Sequence, residues 1–162
     1  MFGIFAGTYF WFPKMFGRMM NETLGKWHFM LTFVGVYCIF MPMHYLGLAG
    51  NVRRYSAFTV DYMKGSVPLH RFITVAALFT GAAQLIFFYN LFRSRFRGEI
   101  APANPWQATS LEWTTSSPPP HDNFGGHHPV VYHGPNEYGV PGKDGDYIMQ
   151  NSPEPEPVAA AS

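Results

Sequence analysis

The stretch WHFMLTFVGVYCIFMPMHYLGLAGNVRRY, Trp27–Tyr55, decides the fold. From Trp27 to Gly50 it runs 24 residues without Asp, Glu, Lys or Arg, with only the imidazoles of His28 and His44 as candidates for charge. As a helix that run spans about 36 Å, more than the roughly 30 Å of a bilayer's hydrocarbon core. It then ends in two adjacent arginines, Arg53 and Arg54.

Working outward, the average composition hides two different halves. The mean hydropathy of −0.03 suggests a water-soluble chain. It averages a very apolar first 97 residues with a polar remainder that holds 11 of the 14 prolines. All ten acidic residues lie outside the apolar runs, and the 16 Phe with only 13% charge suit lipid better than water. One cysteine, Cys38, excludes an intrachain disulfide. A net charge of +1 gives no case for nucleic acid.

Upstream, MFGIFAGTYFWFP (1–13) is uncharged and closes on an aromatic cluster, as a transmembrane helix does at the interface. Its length covers only about 18–20 Å, so it reads as the second half of a span. A signal peptide would need a basic start and a small-residue cleavage site, which are missing. Asn21 is a fair N-cap for a span over 25–48, which Pro42 is expected to kink near its far end. A further span follows at about 69–93, with the apolar run FITVAALFTGAAQLIFFYNLF (72–92) and three arginines, Arg93, Arg95 and Arg97, at its exit. The expected fold is an all-α membrane protein: the end of one transmembrane helix, two full ones, then an extended Pro/Gly-rich tail. Within it, 98–120 (NPW…LEW…SSPPP) can dock on other protein, and 121–162 is expected to be disordered or ordered only by a partner.

Charge gives an orientation. Lys14, Arg18, Lys26, Arg93, Arg95 and Arg97 share one side; Arg53, Arg54, Lys64 and Arg71 share the other. The richer side is assigned to the cytoplasm, with the tail. Arg53 and Arg54 then lie outside, against the trend, which points to a specific partner.

On the residues alone, two readings of Arg53–Arg54 stay open. Guanidiniums at a span end commonly anchor to lipid headgroups; in a turn, a pair can instead clamp carboxylates or phosphate bidentately. His44 reads foremost as a hydrogen-bonded structural residue, with ligand or proton-relay roles as the sharper alternatives, whereas His28, next to Trp27, is expected at the opposite interface, with proton entry as its sharper alternative. His121, His127, His128 and His133 lack the cysteines or rigid scaffold of a metal site. No phosphate loop, Ser/His/Asp set or paired intramembrane carboxylates occur, so no catalytic residue and no metal ligand is assigned.

Five pieces resemble, in family order, the C-terminal part of subunit I of the haem-copper terminal oxidases. They are YFWFPKMFGR (9–18), LGKWHF (24–29), FMPMHYLGLAG (40–50), RRY (53–55) and NPWQATSLEWTTSSPPP (104–120). The resemblance implies the end of the tenth helix and all of the eleventh and twelfth. It implies a subunit that binds a low-spin and a high-spin haem of a type and copper B, reduces dioxygen to water and pumps protons. Arg53 and Arg54 map onto the pair that holds the haem propionates on the outer side, the side the charge count gives them. The axial haem and copper histidines belong to earlier helices, so this piece alone is expected to be inactive. The implied partners are the rest of subunit I, subunits II and III, membrane lipid, and cytochrome c as donor. AGNVRRY departs from the commoner GMPRRY pattern. The RRY context resembles the cytochrome c branch, and the NPW…SSPPP segment resembles bacterial enzymes, which implies a bacterial plasma membrane. A quinol oxidase fragment and a non-catalytic membrane subunit or relic are the alternatives.

Overall fold

The computed structural model describes residues 1–52, 54, 61–134, 136–137 and 148–153. The order is α1 (Phe2–Phe16), α2 (Glu22–Leu48), a single turn α3 (Asp61–Lys64), α4 (Val67–Arg97) and a 3-10 turn (Leu111–Thr114). Among the described residues there is no strand beyond an isolated antiparallel bridge between Arg18 and Ile100. Two compact units result, Asn21–Phe96 and the pair of segments Met1–Met20 with Arg97–Ser162.

In the first of these, α2 and α4 are long and apolar enough to cross a bilayer, at 27 and 31 residues. Asn21 caps α2 by accepting from the Leu24 N–H at 2.9 Å, which satisfies one of the first-turn donors. Glu22 adds charge at the positive end of the helix and pairs with Lys26 at 2.7 Å. Pro68, in the first turn of α4, lacks an N–H where none is needed. Both helices extend past their apolar runs, α4 by four residues beyond Arg93.

Each long helix buries one narrow face. On α2 it carries His28, Thr32 and Gly35; on α4 it carries Ala83, Phe87, Asn90 and Ser94. Steps of three and four are the seam of two helices packed along their length. The partners run antiparallel: Asn21 meets Asn90, His28 meets Gln84, and Gly35 meets Thr80. Most other large apolar side chains point outward, among them Phe29, Phe33, Tyr37, Phe79 and Phe88. Lipid, or protein of like polarity, suits such faces.

In the second unit, α1 continues through Pro13 to Phe16 and ends at Gly17, which adopts φ 65° and bonds back to the Pro13 carbonyl at 2.7 Å. A Cβ there would lie 2.7 Å from Pro118 Cδ, so glycine is required by the backbone and by the neighbour alike. Residues 17–19 then pair with 99–101, through Met19 N–H to Glu99 O (2.8 Å) and Ala101 N–H to Gly17 O (3.0 Å).

Part of the segment beyond 121 is also bonded. Gln150 O accepts from Tyr132 N–H (2.9 Å) and His133 N–H (3.3 Å), and Gln150 N–H donates to Thr109 O (3.0 Å). The disorder expected for residues 135, 138–147 and 154–162 lies outside the described residues.

Candidate functional site

Three arrangements carry polar chemistry. The first is the end of α2. Pro42 cannot donate to the carbonyl of Cys38, which loosens the helix nearly two turns before its end. His44 Nδ1 lies 2.7 Å from the Phe40 carbonyl, so the imidazole itself ties that turn. The helix closes on Gly50, at φ 88°, with Gly50 N–H to Gly47 O (3.1 Å) and Asn51 N–H to Leu46 O (3.0 Å). This pair of bonds is a Schellman cap, and it turns the chain sharply out of the helix. Arg54 stands just beyond the cap, exposed on a bend, and no acidic side chain among the described residues pairs with it. Arg53 lies outside the described residues.

The second is the polar seam between α2 and α4. His28 is 2% exposed, and its Nε2 is 3.0 Å from Gln84 Oε1. The Gln84 amide donates to Thr32 Oγ1 at 3.0 Å and to the Thr80 carbonyl at 2.9 Å. At one end of the same seam, Asn90 accepts from Asn21 N–H (3.1 Å) and donates to Asn21 O (2.9 Å), while Ser94 Oγ donates to Asn90 Oδ1 (3.1 Å). Apart from the imidazole, every group so engaged is an amide, a hydroxyl or backbone, which suits a low-dielectric setting.

The third is a clasp in the unit that contains α1. Lys14 Nζ donates to the carbonyls of Ala103 (3.1 Å), Thr115 (2.7 Å) and Ser116 (3.1 Å), which uses all three ammonium protons. The ammonium also lies 5.0 Å from the centre of the buried Trp113 ring. Burial lowers the pKa of Lys14 from its ordinary range, and the Glu112 carboxylate works in the opposite sense. Phe10 packs on Trp113 edge-to-face at 5.1 Å and on Trp106 at 6.1 Å. Trp106 Nε1–H donates to the Phe10 carbonyl at 2.9 Å, in the turn that Pro13 weakens.

Sequence reasoning located the first arrangement and missed the other two. Lys14 counted there only as a topogenic charge, yet it is 8% exposed and fully bonded. Gln84 and Asn90 drew no notice inside an apolar run, though uncharged amides in such a run are themselves the signal. Of the tail histidines, His121, His127 and His128 are exposed and His133 is buried. No group of three His, Cys, Asp or Glu able to hold a metal occurs among the described residues.

Two lipid-length helices that share a polar seam, and a clasped aromatic segment, are the features of an integral membrane protein. The family model "Cytochrome C and Quinol oxidase polypeptide I" matches residues 1–108. The chain belongs to that family. It is 48% identical over 155 residues to an alternative cytochrome c oxidase subunit 1 of Bradyrhizobium diazoefficiens, covering 94% of this chain and 26% of the relative. It is 47% identical over 139 residues to cytochrome c oxidase subunit 1 of a Synechocystis species, covering 86% and 24%. With the Corynebacterium diphtheriae cytochrome c oxidase subunit 1 it shares 44% over 128 residues, covering 76% and 22%. The chain thus spans about a quarter of the length of these relatives.

Proposed function

We propose that this chain is the C-terminal portion of the catalytic subunit I of a cytochrome c oxidase, in an enzyme that couples electron transfer from cytochrome c to reduction of dioxygen and proton pumping. The family match over residues 1–108 carries the reading. Haem and copper, held by the whole subunit, supply the redox chemistry. What this chain adds is a wall of the haem site and helix packing.

The donor set at the end of α2 fits a haem carboxylate. Arg54 presents a permanently charged, planar guanidinium with five N–H donors, exposed beyond a rigid helix cap and unclaimed by an acid among the described residues. A propionate accepts such a fork bidentately, and a fixed positive charge beside it shifts the potential of the haem it belongs to. Arg53 is assigned the same role from the family pattern. The span histidines are engaged otherwise: His28 with Gln84, and His44 with the Phe40 carbonyl. That supports assigning the axial ligands to other parts of the subunit.

In the assembled oxidase, Arg54→Leu is expected to shift the haem midpoint potential or to impair turnover. Unchanged redox titration and unchanged proton pumping would remove the arginines from the haem site. The family description also covers quinol oxidases, whereas the relatives above are cytochrome c oxidases by name. Assaying the purified complex with reduced cytochrome c and with a quinol decides the donor; oxidation of quinol alone would overturn the cytochrome c reading. The cellular placement, a bacterial plasma membrane with the tail on the cytoplasmic side, belongs to the same proposal, as do the partners: the rest of subunit I and oxidase subunits II and III.

A further inference from the structure

We infer that the arginine-rich end of α4 is a seat for the headgroup of an anionic phospholipid. The 31 residues of α4 make a rod of about 46 Å, against a hydrocarbon core of roughly 30 Å. The apolar run that ends at Phe92 fills that core on its own, so Arg93 and its successors stand at headgroup depth.

The buried side of the helix fixes which way they face. Asn90 and Ser94 are 0% and 3% exposed, bonded to each other and, through Asn90, to Asn21 of the same unit. At about 100° per helical residue, Phe92 and Phe96 fall on the side opposite Ser94, with Arg93 on one flank and Arg95 on the other. Exposures agree: Phe92 is 61% exposed and Phe96 71%. A ridge of two phenyl rings is unfavourable in water and well placed at the acyl–headgroup boundary.

Arg95 lies 5.8 Å over the Phe96 ring, and the charge on the Arg93 flank asks for an anion. Glu22, which the Asn21–Asn90 contact brings to this end, is already paired with Lys26 at 2.7 Å. No acid among the described residues pairs with Arg93. A phosphodiester offers two acceptor oxygens to a guanidinium fork, while its acyl chains lie along the phenyl ridge.

The test uses the membrane complex that contains the chain, in nanodiscs of dioleoyl phosphatidylcholine with dioleoyl phosphatidylglycerol as the probe. Native mass spectrometry counts the lipids that stay bound. The wild type is expected to retain phosphatidylglycerol selectively. Arg93→Gln with Arg95→Gln should hold it about 30-fold more weakly, at about 1 kcal/mol for each basic residue near the surface. Arg93→Lys with Arg95→Lys keeps the charge and should retain most of the binding. Equal retention by the wild type and the glutamine variant overturns the proposal, as does equal retention of phosphatidylcholine by the wild type. If the glutamine variant does not accumulate, salt decides on the wild type alone: retention should fall with ionic strength, and retention indifferent to salt overturns the seat.

Discussion

Helix α1 and the segment after Arg97 are joined through a charge, whereas α2 and α4 are joined through amides and hydroxyls. In the clasp, one ammonium satisfies three backbone carbonyls and lies over Trp113. In the seam, Gln84 links His28 and Thr32, and Asn90 links Asn21 and Ser94. The contrast follows from dielectric. Charge is tolerable in the clasp because Lys14 stands past the apolar run of α1 and finds carbonyls that a helix ladder does not use. Midway along two lipid-length helices an ion would lose its hydration with no such compensation, so neutral groups take its place. A charged clasp should therefore be strong and all-or-none, and a neutral seam should be made of small, separable contributions.

The largest expected effect is at the clasp. Lys14→Met removes a charged donor and leaves three carbonyls facing an apolar side chain. Hydrogen bonds to charged groups contribute about 1.5–3 kcal/mol each and are not additive, so a loss of about 3–5 kcal/mol is expected. Hydrogen exchange should rise together across residues 101–117. A melting temperature and an exchange pattern like those of the wild type would break the contrast at its stronger side.

Next comes steric closeness in the seam. A Cβ built on Gly35 overlaps Thr80 Oγ1 and lies 3.0 Å from Thr80 Cβ. Thr80 is held by its bond to the Ala76 carbonyl at 2.7 Å, so it cannot simply rotate away. Gly35→Ala should cost about 1–3 kcal/mol of helix-pair stability. Adding Thr80→Ala should recover part of it, because the overlapping hydroxyl is gone. A double variant as unstable as the sum of its singles would show that the two residues do not share a contact.

Smaller again is the polar part of the seam. Gln84→Leu removes the link between His28 and Thr32 but keeps the bulk. Bonds of this kind between membrane helices are worth roughly 0.6 kcal/mol, and at most about 1.7. A loss near 1 kcal/mol in detergent unfolding is expected. A loss as large as that of Lys14→Met would mean the seam is as cooperative as the clasp, and the distinction drawn from dielectric would fail.

How much of this is legible in the sequence depends on which physics writes it. Trp27–Gly50 and Phe72–Phe92 announce helices by length and lack of charge, and Asn21 announces its cap, because these are local properties. The apolar run closes at Pro13, yet α1 runs on to Phe16; the carbonyl that Pro13 cannot serve is that of Tyr9, and the Trp106 indole donates to the next one, Phe10. Lys14 is illegible because its partners lie roughly 90–100 positions away and are backbone carbonyls, which no residue type advertises. At the end of α2, Gly50 is recognisable as a terminator, but the direction in which the chain leaves it depends on the cap bonds. The family pattern points to Arg53 and Arg54 as a carboxylate clamp, whereas spacing alone puts lipid anchoring ahead of it.

The smallest predicted effect tests whether the clasp extends to the far end of the chain. The Gln150 side chain accepts from Leu111 N–H at 3.2 Å and donates to the His133 carbonyl at 3.3 Å, between two segments already joined by its own backbone. Gln150→Ala leaves those backbone bonds in place, so the loss should be local and near 1 kcal/mol, seen as about fivefold faster exchange at the Leu111 amide. Gln150→Glu separates the two contacts. Its carboxylate still accepts from Leu111 but has no proton for the His133 carbonyl, so exchange should quicken at residues 132–133 and stay slow at Leu111. If both amides are unmoved in both variants, the neutral side chain is a bystander and the backbone alone holds the segment. If Lys14→Met also speeds exchange at residues 132–133, beyond the 101–117 range expected of it, the charged clasp and the neutral tail contacts act as one cooperative body rather than as two layers.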